Sequence, residues 1–470
     1  MAADNPSEKP GGEDVRVLEQ QHKGSVTEGE LETVLGYKTE LARNRSLWTL
    51  LFQSLAIAAI PYGMGSRSFI VQENWVIILV LDESIALSLG ELASRYPTSG
   101  GPSYWSFQVA PKYKVALAYI TGWVWLIGNW TITLSGAYCS MYHPDFLMSD
   151  WQLLLVFYAL CLFTFVICTF FNKYLPMVDT ICAGFTALSI VIILIALSVS
   201  AASGRHSAAY TLGHYDTSFA GYGSFTFFIG LLPSAYTFSA IGMISAMAEE
   251  CADPAVKVMG SPGGGLGLIF LVLVITLFCS ISITVAASRC TWAFARDDAI
   301  PGAKIWAKVD ERLGVPVNSL ALVTVVQMLL GLINLGSSSA FTAFVSVGVQ
   351  ALALAYGIPI GISLFCGRKE VNKARWNLGQ TLGTIVNVLA LVWIAFELVL
   401  FSMPTALPIE GHLSHHELRL GSTSAPLPIP SQSSTDPEHQ VLVGFGAIAA
   451  LWYAIYSRKS YNGPPASEGL

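Results

Sequence analysis

Long apolar runs that carry almost no charge constrain this chain more than any other feature of its sequence. Of its 470 residues, 53% are apolar and only 12% are Asp, Glu, Lys or Arg, about half the charged share of a typical soluble domain. A membrane-crossing helix needs about 20 mostly apolar residues, and a backbone inside lipid must satisfy its own hydrogen bonds. The sequence therefore predicts an all-α integral membrane protein.

Eleven stretches have the length and apolarity of a membrane span. They are Leu47–Ile70, Trp75–Ala93, Val115–Tyr142, Trp151–Phe171, Leu175–Ala201, Tyr222–Ala248, Leu266–Ala295, Ser319–Leu335, Ala340–Phe365, Leu382–Met403 and Val441–Tyr456. The strands of a membrane barrel are about ten residues long and alternate in polarity, so these runs are helices instead.

The polar parts of the chain lie at its ends and in one long loop. Residues 1–45 hold no apolar stretch, so we expect a disordered cytoplasmic tail and no cleavable signal peptide. Residues 46–457 form the predicted transmembrane domain. Within it, residues 410–440 are rich in Ser, Pro and His and are expected to form an outer loop, and residues 458–470 form a cytoplasmic tail.

Basic residues in short loops predict the orientation of the spans, because such loops stay in the cytoplasm. Up to the sixth span the rule places the N-terminus, Arg95, Lys173 and Lys257 inside. With the next apolar run as the seventh span, Arg296 and every later basic loop would fall outside. One additional span before Leu266 would return them all to the cytoplasm. The charges therefore indicate a twelve-span design that lacks its seventh span, and the following helix is expected to be inverted; a re-entrant segment is the alternative.

The same residues argue against several other function classes. All eight His lie in tails or loops, none of the eight Cys forms a CxxC pair, and no nucleophile, base and metal ligands cluster together. The glycine-rich stretch 260–267 lacks the Lys-Ser/Thr of a phosphate loop. We therefore expect no enzyme, no metal and no cofactor, and the absence of a basic patch with aromatic residues argues against nucleic acid.

The first span contains Pro61-Tyr62-Gly63-Met64-Gly65-Ser66. Proline removes a backbone donor and glycine tolerates non-helical dihedral angles. A helix broken here would present free N–H groups to an anion, as broken helices of transporters do near the bilayer midplane. A simple proline kink is the alternative.

The sixth span carries a second set of helix-breaking residues, from Gly230 through Pro233 and Ser239 to Gly242. Unwound carbonyls at this point would accept hydrogen bonds from an ammonium group, which Tyr236 or Phe238 would cover by cation–π attraction. Packing of small residues is the alternative. Two breaks five spans apart are typical of two five-helix inverted repeats with a binding site between them.

Charges inside the predicted spans are few, and each is a functional hypothesis. They are Asp82, Glu83, Glu91, Arg95, Asp179, Arg289 and Glu397. Proton coupling needs a carboxylate that faces a cavity, and Asp179 and Glu83 are the predicted candidates, with a structural ion pair as the alternative. Glu91 and Arg95 lie one helical turn apart, so a pair between them is expected.

Four motifs together resemble one family of transporters. They are Leu35-Gly36-Tyr37-Lys38, the run from Gly90-Glu91-Leu92-Ala93 through Arg95-Tyr96-Pro97 to Gly100-Gly101, Ala246-Met247-Ala248-Glu249-Glu250, and the run from Ala287-Ser288-Arg289 through Phe294-Ala295-Arg296-Asp297-Asp298 to Pro301. The chain resembles the amino acid–polyamine–organocation permeases, and most closely the fungal amino-acid/choline/GABA permeases.

This resemblance implies a LeuT-like fold of five plus five inverted helices with two extra helices, and import of an amino acid or a small amine such as GABA, choline or a polyamine, usually with protons. The implied substrate contacts are Gly63, Met64, Gly65, Ser66, Tyr236, Thr237, Phe238, Ser239 and Ala240. Structural or gating roles are expected for Glu91, Arg95, Glu249, Glu250 and Arg289. Residence in the plasma membrane is expected, with the vacuolar membrane as the alternative.

The chain also departs from the family pattern. The seventh helix is missing, the first and third spans are shortened, and the segment 410–439 is inserted. A faulty gene model or a degenerate paralogue would explain these departures. The alternative to a transporter is therefore a ligand sensor or an inactive member of the same family.

Overall fold

The computed structural model describes residues 37, 47–58, 74–139, 150–200, 225–239, 242–243, 267–333, 338–403, 444, 446–447, 449–457 and 461–465. The elements in these residues are helical. The α-helices are α1 (Leu47–Ala58), α2 (Asn74–Arg95), α3 (Gly101–Val109), α4 (Lys114–Cys139), α5 (Asp150–Phe170), α6 (Leu175–Ser200), α7 (Thr226–Ile229), α8 (Leu232–Phe238), α9 (Gly267–Arg296), α10 (Ala303–Trp306), α11 (Val317–Gly331), α12 (Ser338–Phe365) and α13 (Gln380–Phe401).

Six of the described helical stretches are long and apolar enough to cross a membrane. They are Lys114–Thr133, Trp151–Phe170, Asn172–Ile192, Leu277–Arg296, Ser346–Phe365 and Gln380–Phe401. The expectation of an all-α membrane protein is confirmed. The number of crossings stays a prediction, because several of the predicted spans lie partly outside the described residues.

Helix α4 lies at the centre of the bundle, where it packs against α3, α9 and α12. Glycines make this close approach possible. A Cβ atom on Gly122 would lie 2.6 Å from Cζ of Phe294 in α9, and one on Gly128 would lie 2.8 Å from Cδ2 of Leu352 in α12. Small residues at such contacts are typical of helices that associate within membranes, since association there depends on close van der Waals packing.

One end of the bundle gathers charged and aromatic side chains from distant parts of the sequence. The Tyr37 ring lies 5.7 Å from the Tyr104 ring, which lies 6.0 Å from that of Tyr96 at the end of α2. The guanidinium of Arg296, at the end of α9, lies 3.6 Å from the centre of the Tyr37 ring, and the Tyr37 hydroxyl donates to Oδ1 of Asp297 at 2.9 Å. We call this end the charged face.

The position of Arg296 corrects the expected direction of α9. The loop charges predict that the helix after the missing span would be inverted, with Arg296 on the side opposite to the N-terminal segment. That expectation is wrong, because Arg296 contacts Tyr37 and α9 therefore ends on the same face as α2. This is the direction that the charges indicated for a twelve-span chain. Residues 244–266, which include the end of the predicted sixth span and its connection to α9, lie outside the described residues.

Candidate functional site

The sixth span is interrupted, as the sequence predicts. Its described part consists of the four-residue helix α7, a turn at Gly230 and Leu231, and the seven-residue helix α8. The amide of Leu231 donates to the carbonyl of Phe228 at 3.1 Å, which is a bond to the third residue back instead of the fourth. Pro233, the second residue of α8, has no amide to donate to the carbonyl of Ile229 at the end of α7. The tight turn and the proline together separate the two helical pieces.

The predicted substrate contacts of the sixth span lie at the end of α8. Thr237 and Ser239 are buried, and Tyr236 and Phe238 pack in part against the main apolar core. The Ser239 hydroxyl donates to the carbonyl of Tyr236 at 2.8 Å. Contact of these residues with a substrate stays a prediction, and Ala240 lies outside the described residues.

Gly242 places the end of the broken span against two other helices. A Cβ atom there would lie 2.6 Å from Cζ of Tyr356 in α12 and 3.0 Å from Cδ1 of Leu89 in α2. The Tyr356 side chain is almost completely buried. Only glycine fits at this point, so the aromatic ring of Tyr356 rests directly on the backbone of the sixth span.

Helix α1 ends close to the predicted break of the first span. The thiol of Cys279 in α9 lies 3.2 Å from the carbonyl oxygen of Ile57. In a continuous helix this carbonyl would accept from the amide of residue 61, but residue 61 is a proline and has no N–H. The thiol supplies the missing donor. The predicted contacts Gly63, Met64, Gly65 and Ser66 lie outside the described residues.

The two predicted proton-coupling residues occupy different surroundings. Asp179 in α6 is buried, and its Oδ1 accepts a hydrogen bond from the Ser282 hydroxyl in α9 at 3.0 Å. Glu83 in α2 is half-buried, and its Oε2 has no hydrogen-bond partner among the described residues. The role of either residue in proton coupling stays a prediction.

Glu91 does not pair with Arg95, and that expectation is wrong. Oε1 of Glu91 lies 2.8 Å from Nη2 of Arg368, and both side chains are 0% exposed. Arg95 instead lies 3.6 Å from Oε2 of Glu370. Glu91 and Arg95 therefore both pair with the segment that joins α12 to α13, because that segment folds back onto the end of α2.

The Arg368 guanidinium occupies a site that glycine keeps open. It donates to the carbonyls of Gly383 at 3.1 Å and Gly379 at 3.4 Å, and a Cβ atom on Gly383 would lie 2.5 Å from Cζ of Arg368. The amide of Leu378 also donates to Oε1 of Glu91 at 2.8 Å. This buried pair thus joins α2, the loop and the start of α13 at the charged face.

Glu370 is the exposed member of the same network. Its Oε1 lies 2.8 Å from Nζ of Lys373, and its Oε2 accepts from the Tyr96 hydroxyl at 3.3 Å. Partial burial acts to raise the pKa of Glu370, but the hydrogen bond and charge of Lys373 and the charge of Arg95 outweigh it, so the pKa lies below its ordinary value.

Arg289 joins α9 to the turn between α5 and α6. It is almost completely buried, and it donates from Nη2 to Oδ1 of Asn172 and from Nη1 to the Ser288 hydroxyl, both at 3.1 Å. These contacts fit a structural role, and gating by Arg289, Glu91 or Arg95 stays a prediction. Glu249 and Glu250 lie outside the described residues.

Three residues of this region carry contacts that sequence reasoning missed. The sequence counted Arg368 only among the loop charges and assigned no role to Tyr356 or Trp393. Trp393 in α13 donates from Nε1 to Oδ1 of Asp82 in α2 at 2.8 Å. The glycines at 367, 379 and 383 around Arg368 are the signal that could have indicated a close approach there.

Known proteins match this chain over most of its length. The family model described as "Amino acid permease" matches residues 65–281 and 252–413, two stretches that overlap where the seventh span is predicted to be missing. A choline transporter of Saccharomyces cerevisiae is 26% identical over 503 residues, which cover 92% of this chain and 84% of that protein. The polyamine transporter TPO5 of the same yeast is 28% identical over 391 residues, 69% of this chain and 63% of that protein.

A solved structure is also similar at a distance. A mutant of the manganese transporter of Eremococcus coleocola aligns with 90% of this chain and 98% of its own, with 11% identity and a TM-score of 0.42, which is too distant to indicate an ion or a substrate. The family match, by contrast, covers more than half of the chain and includes the broken sixth span. The chain therefore belongs to the amino acid permease family.

Proposed function

We propose that this permease imports an amino acid or a related small amine, such as GABA, choline or a polyamine, by alternating access and together with protons. The observation that carries the proposal is the interrupted sixth span, in which α7 and α8 are separated by the turn at Gly230 and Leu231. The interruption leaves backbone groups without a partner in the helix, and transporters place such groups where they line a binding site.

The surroundings of this break support an amine as the substrate. Tyr236 and Phe238 lie near the end of α8, the helix that follows the break, and aromatic rings of this kind attract a cation. The two yeast relatives are a choline and a polyamine transporter. The first span would supply Gly63, Met64, Gly65 and Ser66 to the carboxylate of an amino-acid substrate. GABA and amino acids carry both groups, whereas choline and polyamines carry only the cation.

Direct uptake measurements test this function. Cells that lack their own amine permeases would express the chain, and uptake of labelled GABA, choline, spermidine and a panel of amino acids would be measured at external pH 5 and 7. We expect saturable uptake of at least one compound, faster at the lower pH. Gly361→Ala, whose new methyl would meet nothing closer than Leu391 Cδ2 at 3.8 Å, serves as the matched control variant.

The same experiment separates the alternatives. Ligand binding by the purified protein without uptake would favour a sensor, and a well-folded protein with neither property would favour an inactive member of the family. We further propose that the protein resides in the plasma membrane with the charged face in the cytoplasm. Protease access to an epitope tag at the N-terminus of intact cells would overturn that orientation.

A further inference from the structure

Two buried carboxylates lie on α2 and α13, which pack against each other. Asp82 of α2 is 3% exposed and Glu397 of α13 is 2% exposed. Trp393 lies one helical turn before Glu397, on the same face of α13, and its indole Nε1 donates to Oδ1 of Asp82 at 2.8 Å. The turn of α13 that leads from Trp393 to Glu397 therefore lies next to Asp82, and the two carboxylates are within electrostatic range of each other.

Among the described residues, the pair has no cation to balance it. Neither carboxylate lies within salt-bridge distance of a described Lys or Arg, and Oδ2 of Asp82 has no described hydrogen-bond partner. Tyr356 of α12 lies within electrostatic range of Glu397 and of Cys290 in α9, and α8, which packs against both α2 and α13, carries Tyr236. None of these side chains offers a positive charge.

Two ionised carboxylates side by side in this position would be very unfavourable. Each would lose its hydration, and each would repel the other at short range and low dielectric constant. A bound proton removes one charge and the repulsion together, and it turns one carboxyl into a hydrogen-bond donor for its neighbour. A proton also needs no cavity, whereas an organic cation would need more room than two carboxyls that are at most 3% exposed provide.

We propose that Asp82 and Glu397 together bind the proton that accompanies the substrate, with one proton held between the two carboxyl groups. This inference rests on the proposed function and names the residues for its coupling step. The sequence favoured Asp179 and Glu83 for that step. Asp179, however, already has a hydroxyl partner in Ser282 at 3.0 Å, and Glu83 is only half-buried.

Contacts of Tyr356 connect this pair to the broken sixth span. The Tyr356 ring rests on the backbone of Gly242, and its hydroxyl lies within electrostatic range of Glu397. Binding or release of the proton changes the charge of the carboxyl pair near the Tyr356 ring. A change of charge at Glu397 therefore acts on a residue that packs against the sixth span, which links the proton to the position of the substrate-binding helix.

Infrared titration of the purified protein tests the site without any transport assay. The C=O absorption of a protonated carboxyl would be followed across pH in the wild type and in Asp82→Asn, Glu397→Gln and Glu83→Gln. We expect the titrating band to be lost or displaced in the first two variants and to be kept in the third. An unchanged band in both Asp82→Asn and Glu397→Gln would overturn the assignment, whether or not the chain transports anything.

Transport measurements in vesicles give the second test. For Glu397→Gln we expect exchange between labelled and unlabelled substrate to persist, while the acceleration by external acid falls at least tenfold. Glu397→Asp keeps a carboxyl and should restore part of the acid dependence, which distinguishes proton binding from a folding defect. Retained acid dependence in Glu397→Gln, together with its loss in Glu83→Gln or Asp179→Asn, would overturn the proposal.

A different result would identify the pair as an amine site instead. Loss of exchange in Glu397→Gln for choline and spermidine, with exchange of neutral amino acids unchanged, would overturn proton binding in favour of a cationic substrate. Absence of uptake by the wild type would count against the proposed function alone, since the infrared titration still decides whether these carboxyls hold the proton.

Discussion

The charged face and the Asp82–Glu397 pair both remove carboxylates from water, and they do so in opposite ways. At the charged face, Glu91 accepts from Arg368 and from the amide of Leu378, both at 2.8 Å. Where α2 packs against α13, Asp82 accepts from one neutral indole, and the nearby Glu397 also lacks a described cation. A balanced charge holds its ionisation state and fixes structure, whereas an unbalanced one can change state by binding a proton.

Glu91 and Asp82 both lie on α2, and their partners come from α13 or from the loop that leads into it, so the two carboxylates differ in their partners. Along the contact between α2 and α13, Asp82 meets Trp393, and the Ser88 hydroxyl lies 2.9 Å from Oδ1 of Asn387. Glu91 reaches the loop that leads into α13. Each interhelical hydrogen bond of this kind contributes on average about 0.6 kcal/mol inside a membrane. Several modest contacts therefore hold α2 against α13. The acid pair can change its protonation state while these contacts keep the two helices together.

Removal of the buried cation should have the largest effect. Arg368→Met leaves Glu91 buried without its partner, which we expect to cost about 3–5 kcal/mol of stability. Thermal unfolding of the detergent-solubilised protein, followed by size-exclusion chromatography, would measure the loss. Glu397→Gln is the counterpart, because it removes a carboxylate that has no described cation, and it should leave the melting temperature equal or higher.

A double variant makes this first prediction sharper. Glu91→Gln combined with Arg368→Met removes both charges and should recover much of the stability that Arg368→Met loses. If Arg368→Met alone melts like the wild type, Glu91 does not depend on its cation, and the contrast between the two regions fails.

Gly242→Ala should have the next largest effect, on the side of the acid pair. The added methyl would lie 2.6 Å from Cζ of Tyr356, so the ring or the sixth span must move. Overpacking of this kind costs about 1–3 kcal/mol, and we expect a several-fold loss of uptake as well. Gly361→Ala, in the same helix as Tyr356, provides the control. Partial recovery of uptake in Gly242→Ala with Tyr356→Leu would confirm that this contact is responsible.

Tyr37→Phe should have a smaller effect at the charged face. It removes the hydrogen bond to Asp297 but keeps the aromatic ring beneath Arg296, so we expect a loss of about 1 kcal/mol. Burial, first, and the charge of Asp297, second, raise the pKa of Tyr37 well above its usual value, so its hydroxyl remains a donor at every physiological pH. A loss of stability that grew between pH 6 and 9 would contradict this prediction.

Glu370→Gln should have the smallest effect, because the side chain of Glu370 is 35% exposed and pairs of this kind contribute at most about 1 kcal/mol. Since the folded-state pKa of Glu370 is lowered, its contribution is present in full above the unfolded pKa near 4.3. It is lost only as the pH falls through the lower folded value. The difference in melting temperature between variant and wild type should stay constant from about pH 5 to 8 and shrink below about pH 4.

The sequence predicted most of the architecture because the hydrocarbon core of a membrane permits few backbone structures. Runs of about 20 apolar residues must be helices, and α4, α5, α6, α9, α12 and α13 each contain one. Pro233 and its neighbouring glycines predicted the break between α7 and α8. The charge count indicated a twelve-span arrangement, and the contact between Arg296 and Tyr37 agrees with the direction that this arrangement gives α9. The count of spans itself stays a prediction.

The partners of the buried charges could not be predicted from the sequence. Helical spacing favoured Glu91 with Arg95, since they lie four residues apart, but Arg368 lies 277 residues further along the chain. Likewise, nothing in the local sequence separates Asp82 from Glu83. Adjacent helical residues point about 100° apart, so one carboxyl faces α13 and is 3% exposed, while the other is half-buried.

The sequence by itself thus determined that this is a membrane protein, where its helices lie, one helix break and its family. Each of these depends on residues close together in the chain. The tertiary structure alone decided which charges are balanced. Balance depends on which helix faces which, and that is settled by glycine-mediated contacts such as those of Gly383 and Gly242 between segments far apart in sequence. The same packing that gives Glu91 its cation places Asp82 near Glu397, with no cation for either among the described residues.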